Sequence, residues 1–462
     1  MKVIVCGAGQ VGLTIARHLS HEGIDVTLVD IDPEQAQRAD ENYDVRGMVG
    51  HAAHPHVLER AGARDADLLI AVTRSDEVNM VACQVAYSLF NVPRRLARIR
   101  HQGYLEDIWR GLYANDQLPI DVIISPEVEV ADGIERRLRT PGAFDTVTLA
   151  QGRVQLLGIH CNTSHCRLVG RTLSEIAEEL PEPLMVVVAI MRAGEAFVPN
   201  SDDSIAFGDD VYVVTQPKRI PEVMAFFGHE EKVARRVVIV GGGNVGLNLA
   251  RRLSYAQPGM SLKLIEFSRE RAEMVAREMG DRVVVLQGDA LDRETLLEAT
   301  IQSAETIVAV TNDDETNIFA SVLAKREGCE RAITLVNKTS YAPILPTLGI
   351  DVVVSPNSIT ISSILQHVRH RCVAGLYTLR EDFGEVIEAK VQPESKLAGS
   401  TLEKIKLPEG MMIGAIARDE EVILPCASSL IKAGDTIIAM VKYSVLHDAE
   451  ALLSGRSFLF RR

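Results

Sequence analysis

The chain has 462 residues, 47% hydrophobic and 24% charged, with a formal net charge of −14. That is too long for one ordinary domain and fits a globular protein of two to four. The acidic balance argues against a general nucleic-acid binder, which needs clustered Lys and Arg, though it leaves room for a local basic patch.

The opening "MKVIVCGAG" enters a glycine motif at once, after an apolar run too short for a signal peptide. No apolar stretch approaches the roughly 20 residues that cross a bilayer. Seven scattered cysteines, without a C-x-x-C, suggest a reducing cytosolic compartment.

From residue 1 to about 123, short Val/Ile-rich runs alternate with helical segments: "KVIVCGAG", "DVTLVD", "DLLIAVT", "RRLARIR" and "DVIIS". This is the rhythm of β-α-β units on a parallel sheet. Ser125-Pro126 opens a predicted helix over 125–140, closed by Pro141-Gly142. Over 144–227 the character changes to antiparallel strands, such as "TVTLAQGRVQLLGIHC" and "DDVYVVT", with a helix near "TLSEIAEEL". "GHEEKVARR" then reads as a charged linker. The plan repeats over 233–354, a helix over 355–372, and 374–454.

The two halves align by anchors. Gly7 matches Gly241, Asp30 matches Glu266, Gly50 matches Gly288, Thr73 matches Thr311, Ser125 matches Ser355, Leu168 matches Leu397, Arg192 matches Arg418 and Gly208 matches Gly434. The numerical offset stays between 226 and 238, which indicates a tandem duplication with few insertions. The expected fold class is α/β: two Rossmann-like parallel-sheet domains (1–123 and 233–354), each followed by a small α+β module (144–227 and 374–454).

Each parallel-sheet domain carries G-x-G-x-x-G between a strand and a helix. The first spans Gly7, Ala8, Gly9, Gln10, Val11 and Gly12; the second spans Gly241, Gly242, Gly243, Asn244, Val245 and Gly246. The first glycine permits the tight turn, the second lets a pyrophosphate approach the backbone, and the third lets helix and strand pack closely. The helix start then offers free N–H groups to phosphate. Alone the motif is weak. Here each copy is followed by an acid at the next strand end, Asp30 or Glu266, which can accept from both ribose hydroxyls and would repel a 2′-phosphate. NAD(H) or another adenosine nucleotide is therefore expected over NADP(H). A domain that keeps its glycines for packing alone is the competing reading.

Further site residues belong at the carboxyl ends of the strands: His51, Thr73, Arg74 and Arg98 in the first unit, Asp289, Thr311 and Asn312 in the second. His51 faces Asp289 in the alignment, and Arg98 faces apolar Leu335, so the first site is expected to tolerate more ligand negative charge. The small modules show no Ser-His-Asp, Cys-His or Lys/Tyr arrangement of the kind a hydride-transferring enzyme would need beside its cofactor. "HCNTSHC", His160 to Cys166, is the nearest thing to a metal signature, but its spacing fits known zinc sites poorly and a surface loop is expected instead, with no metal. Arg136, Arg137, Arg139, Arg369 and Arg371 fall near the ends of the two linking helices, where solvated faces complementing the helix dipole are expected ahead of an interface.

With "GAGQVG", "GHAAHPHVLERAGARDADLLIAVTRSDEVNMVACQVAYSLFN" and a following "LVGRTLSEI…AIMR…GDDVYVV" module, in two copies, essentially the whole chain resembles the RCK (KTN) family. The resemblance implies a cytoplasmic regulatory subunit, peripheral to the inner face of the cell membrane, that binds NAD(H) and adenine nucleotides such as ATP and ADP. It implies a ring, commonly of four two-unit chains, under a separate potassium transporter of the TrkH/TrkG type whose flux the nucleotide gates. Carried over, the first site comprises Gly7 to Val11, Asp30, Thr73, Arg74 and Arg98, and the second comprises Gly241 to Val245, Glu266, Thr311 and Asn312; Leu335 departs from the pattern. An NAD-dependent oxidoreductase is the alternative. A DNA-binding redox repressor is disfavoured by the acidic balance and the lack of a basic winged-helix module.

Overall fold

A computed structural model describes the chain except for Glu22, 114–116, Ser164, 180–182, 257–258, 342–343, 369–372, 381–382 and 455–462. It forms two compact units. The first contains 1–131, 336–339 and 355–368; the second contains 132–335, 340–354 and the described residues from 373 onward.

In the first unit, strands β1 (Lys2–Cys6), β2 (Asp25–Asp30), β3 (Arg46–Val49), β4 (Leu68–Ala71), β5 (Arg94–Arg98) and β6 (Val122–Ile124) form one parallel sheet. Its order is β3-β2-β1-β4-β5-β6, so the chain reverses direction across the sheet between β1 and β4. That switch point is where doubly wound sheets open a ligand crevice. β4 is buried at every position, as a strand covered by helices on both faces must be. The helix Pro356–Val368 packs within this unit against the helix Gln10–His21. There Asn357 Nδ2 donates to Gln10 Oε1 at 2.9 Å and Ser363 Oγ donates to Glu129 Oε1 at 2.8 Å. Residues 369–372, with Arg369 and Arg371, lie outside the described residues.

The second unit holds three sheets. Strands β7 (Ala143–Leu149), β8 (Val154–His160), β9 (Val186–Arg192), β10 (Glu195–Phe197) and β11 (Asp210–Thr215) pair antiparallel in the order β10-β9-β11-β8-β7. Strands β12 (Arg236–Val240), β13 (Ser261–Glu266), β14 (Val284–Gln287), β15 (Thr306–Ala309), β16 (Arg331–Leu335) and β17 (Val352–Val354) repeat the parallel order, β14-β13-β12-β15-β16-β17. Strands β18 (Val373–Arg380), β19 (Gly384–Lys390), β20 (Met411–Arg418), β21 (Glu421–Ile423) and β22 (Thr436–Lys442) repeat the antiparallel one.

The two antiparallel sheets share one core. Leu156, Val188 and Val214 of one meet Val386, Ala415 and Ile438 of the other, all buried. The first small sheet is apolar on both faces: Leu157, Val187 and Val213 bury against Ile176 and Phe227 on one side, and the duplicate sheet covers the other. Gly414 marks the closest approach: a Cβ there would sit 2.8 Å from Val214 Cγ2 and 2.9 Å from Val188 Cγ1. Ala150 N–H donates to Glu388 Oε2 at 2.8 Å across this pair of sheets.

The helix Pro126–Arg139 corrects one expectation. Arg137 is buried, not solvated: it donates to Asp145 Oδ1 at 2.6 Å, to the Gly133 carbonyl at 3.1 Å and to the Phe144 carbonyl at 3.0 Å. Tyr377 donates its hydroxyl to the other oxygen of Asp145. Arg139 remains exposed and pairs with Glu135 four residues back. Arg252 of the helix Asn244–Ala256 pairs with Asp132 at 2.7 Å and Glu135 at 2.8 Å.

In the "HCNTSHC" stretch, His160 ends β8, Cys161 just after it is buried, Cys166 is half-buried and His165 is exposed, while Ser164 lies outside the described residues. His160 is taken by Asp210 and stacks on Phe144. Among the described residues, no group of three or more His, Cys, Asp or Glu could hold a metal. The Cys161 thiol donates to Cys166, and this bond, with the N–H groups of Leu168 and Val169, brings Cys166 down to about 6. Alkylation of Cys166 by iodoacetamide, followed by peptide mass spectrometry, should therefore rise through an inflection near pH 6, since the thiolate is the nucleophile. Cys161→Ala should move that inflection upward; an inflection above pH 8 in the unaltered chain would contradict the arrangement.

Candidate functional site

Each parallel sheet carries a glycine turn at its switch point, and in the second unit that turn lines a cleft. Gly7 has φ +109° and Gly241 φ +101°, a backbone that favours glycine. Gly12 and Gly246 are packing residues: a Cβ on either would lie 1.8 or 1.9 Å from the carbonyl oxygen of Gly7 or Gly241. Gly9 and Gly243 differ. A Cβ there would meet nothing within 4 Å, so the backbone faces open space where a ligand could approach. The first and third glycines thus serve the fold, and the middle one the crevice. Gln10 and Val11 open the first helix, Asn244 and Val245 the second.

The acids are held in the same way in both units. Asp30 accepts from Ala8 N–H at 2.5 Å through Oδ2 and from Asp32 N–H at 2.9 Å through Oδ1. Glu266 accepts from Gly242 N–H at 2.6 Å and Ser268 N–H at 2.8 Å. Two backbone donors fix each carboxylate beside the glycine turn and leave lone pairs for further donors.

At the far wall, an asparagine organises the strand end. Asn79 is fully buried; its Oδ1 accepts from Thr73 N–H at 2.9 Å and from the Thr73 hydroxyl at 2.7 Å. Its Nδ2 donates to the carbonyl of Arg98 at 2.9 Å. Asn317 repeats this with Thr311, at 2.8 Å for both bonds, and with the Leu335 carbonyl at 3.0 Å. Sequence reasoning missed this pair. The signal was present, because "AVTRSDEVNM" and "AVTNDDETNI" share the asparagine at the same place.

In the second unit the crevice is a cleft of about 610 Å³ lined by Gly241, Gly243, Glu266, Asp289, Thr311 and Asn312, all anticipated, together with Phe267, Ser268 and Arg271, which were not. Leu335 is buried and takes no part in that lining.

The side chains add detail to the charge asymmetry expected between the units. Arg98 donates Nη2 to the Thr73 carbonyl at 2.8 Å, while its Nε is buried without a partner. Burial, then the neighbouring Arg100, pulls its guanidinium below the ordinary value. His51 Nδ1 accepts from Ala53 N–H at 3.3 Å, and its ring stacks on His54. Arg74 is exposed. The second cleft carries a cation of its own in Arg271, whose Nε donates to the Gly242 carbonyl at 2.5 Å.

Comparison with known proteins agrees with this architecture. The TrkA-N domain family matches residues 3–126 and 237–356, and the TrkA-C domain family matches 163–228 and 386–454. The Trk system potassium uptake protein TrkA of Azorhizobium caulinodans is 45% identical over 438 residues, covering 95% of both chains. The protein of that name from Vibrio alginolyticus is 40% identical over 462 residues, covering 99% of this chain and all of its own. Among solved structures, the GsuK RCK domain superposes with a TM-score of 0.59 at 19% identity over 98% of this chain and 95% of its own, which shows the fold. Two tandem pairs of TrkA-N and TrkA-C domains and full-length identity to curated relatives place this chain in the TrkA family of Trk-system potassium uptake proteins.

Proposed function

We propose that the chain is a nucleotide-sensing regulatory subunit of a Trk-type potassium uptake system. Its modules are the Rossmann-like 1–123 and 233–354 and the small 144–227 and 374–454. The observation that carries the nucleotide half is the open face at Gly9 and Gly243 beside a doubly anchored carboxylate. The residues fit NAD(H) or an adenine nucleotide such as ADP or ATP. Helix N–H groups past Gly9 and Gly243 would take phosphate, and Asp30 and Glu266 the ribose hydroxyls. Thr73, Arg74 and Arg98, or Thr311, Asn312 and Asp289, would line the rest.

The transport half rests on the relatives, which are potassium uptake proteins at 45% and 40% identity along the whole chain. Among the described residues, no helix is long and apolar enough to cross a membrane, so the pore is assigned to a separate transporter subunit of the TrkH/TrkG type. The chain would meet it from the cytoplasmic side, as a ring of four two-unit chains. Bound nucleotide can bias such a ring only through different affinities for two shapes. The pivots are the linking helices, one held by Arg252 on Asp132 and Glu135, the other by Ser363 on Glu129.

Co-purification with the membrane transporter, followed by potassium flux in vesicles with and without NADH, ADP and ATP, tests the proposal. A flux that changes with nucleotide, and a response blunted by Arg252→Ala while nucleotide affinity stays within about threefold, is expected. Nucleotide-independent flux, or steady NADH turnover with a small substrate, would replace this reading.

A further inference from the structure

The two units differ in charge at the segment where the adenosine half of a dinucleotide would lie. Residues 30–35 read Asp-Ile-Asp-Pro-Glu-Gln, and residues 266–271 read Glu-Phe-Ser-Arg-Glu-Arg. The first segment has three carboxylates and no cation; the second balances two carboxylates with two arginines. In the first, Asp32 caps the following helix, its Oδ1 accepting from Glu34 N–H at 2.9 Å. In the second, the uncharged Ser268 hydroxyl caps instead, accepting from Arg271 N–H at 3.4 Å.

Arg271 is half-buried, as is Gln35 at the same place in the first unit. Arg271, Ser268 and Phe267 all line the second cleft. The Arg271 Nε bond to the Gly242 carbonyl, at 2.5 Å, tethers the guanidinium to the residue whose N–H holds Glu266. Its other described bond runs from Nη1 to the Met274 sulfur at 3.5 Å, a weak acceptor. The cation is thus fixed next to the ribose-binding acid with most of its donor fork unspent by any carboxylate. Phe267, 74% exposed, adds a ring face at the cleft wall, where the first unit has Ile31.

An acid at this strand end rejects a 2′-phosphate because a carboxylate repels a dianion, and a nearby arginine reverses that preference. A guanidinium presents planar paired donors that match phosphate oxygens. Within residues 30–35 no cation offsets Asp30, and Asp32 adds to the repulsion. We propose that the second cleft admits a 2′-phosphorylated adenine dinucleotide, NADP(H), with Arg271 and the Ser268 hydroxyl as its phosphate partners, while the first crevice excludes it. This rests on the nucleotide reading above and departs from the NAD(H) preference that the acids alone suggested.

The test uses the full chain and the intrinsic fluorescence of NADH and NADPH. In a Gly9→Asp chain, where only the second cleft is left open, NADPH should bind within about tenfold of NADH. In a Gly243→Asp chain, which leaves only the first, NADPH should bind at least about a hundredfold more weakly than NADH. Adding Arg271→Gln to the Gly9→Asp chain should raise the NADPH-to-NADH Kd ratio at least about tenfold. NADH binding without NADPH binding in the Gly9→Asp chain overturns this proposal alone. So does a loss from Arg271→Gln that is equal for both ligands, which would mark a structural role. Absence of binding by either ligand overturns the nucleotide reading with it.

Discussion

Gly9→Asp and Gly243→Asp should each remove one of two bound nucleotides per chain, and the double variant should bind none. The expected loss at each site is about two orders of magnitude or more, because a fixed carboxylate would occupy the place of the pyrophosphate. The thermal midpoint should hardly move, since a Cβ at either glycine meets nothing within 4 Å. Gly12→Val and Gly246→Val give the contrast. Their Cβ atoms would sit 1.8 and 1.9 Å from a carbonyl oxygen, so these variants should lower the midpoint or prevent folding. Equilibrium titration with NADH, beside a thermal melt, separates the two classes. Unchanged stoichiometry in Gly9→Asp would mean that the open face at the first turn does not receive the ligand.

Arg137→Met should destabilise the second unit by about 3–5 kcal/mol, the cost of leaving a buried charge without its partner. Asp145 is 6% exposed and holds both Arg137 and Tyr377. Removing the guanidinium strands this carboxylate in the core region that joins β7 to β18. Replacing both, Arg137→Met with Asp145→Asn, should cost clearly less than the two single changes added together, because neither charge is then left alone. Denaturant melts of the four chains would show it. Additive losses would mean that the pair is not coupled, and a negligible loss in Arg137→Met would mean that its burial carries no energetic weight. The long chain need not unfold in one step, so the transition of the second unit is the quantity to follow.

Much of the fold could be read before the structure because it follows from local rules. The parallel sheets announce themselves in runs such as "VVIVGGG", bounded by turns and separated by amphipathic helices. The linking helix was expected at 125–140 and stands at Pro126–Arg139, since Ser-Pro starts a helix and Pro-Gly stops one. The crevice residues were legible for a related reason. The turn glycines obey backbone geometry, and the acid is placed by the end of the following strand. Arg137 shows where this reasoning ends. A basic residue in the last turn of a helix ordinarily meets solvent and the dipole; here Arg137 is buried on Asp145, eight residues on, whose other oxygen accepts from Tyr377 in the other half of the chain.

By itself, then, the sequence determined the duplicated β-α-β plan, the two glycine turns and the acid beside each, because all of these depend on neighbours within a strand, a turn and a helix. Only the tertiary structure decided three further things. The small antiparallel sheets each bury one apolar face on the other, a partner that the strand pattern by itself does not assign. Asn79 and Asn317 lock the threonines of the far wall, through bonds that join a strand end to the helix after it. Arg271, one more arginine on a polar helix in the sequence, turns its guanidinium onto the Gly242 carbonyl and into the cleft. Each of these depends on where a side chain ends, and that is settled by packing between elements distant in the chain.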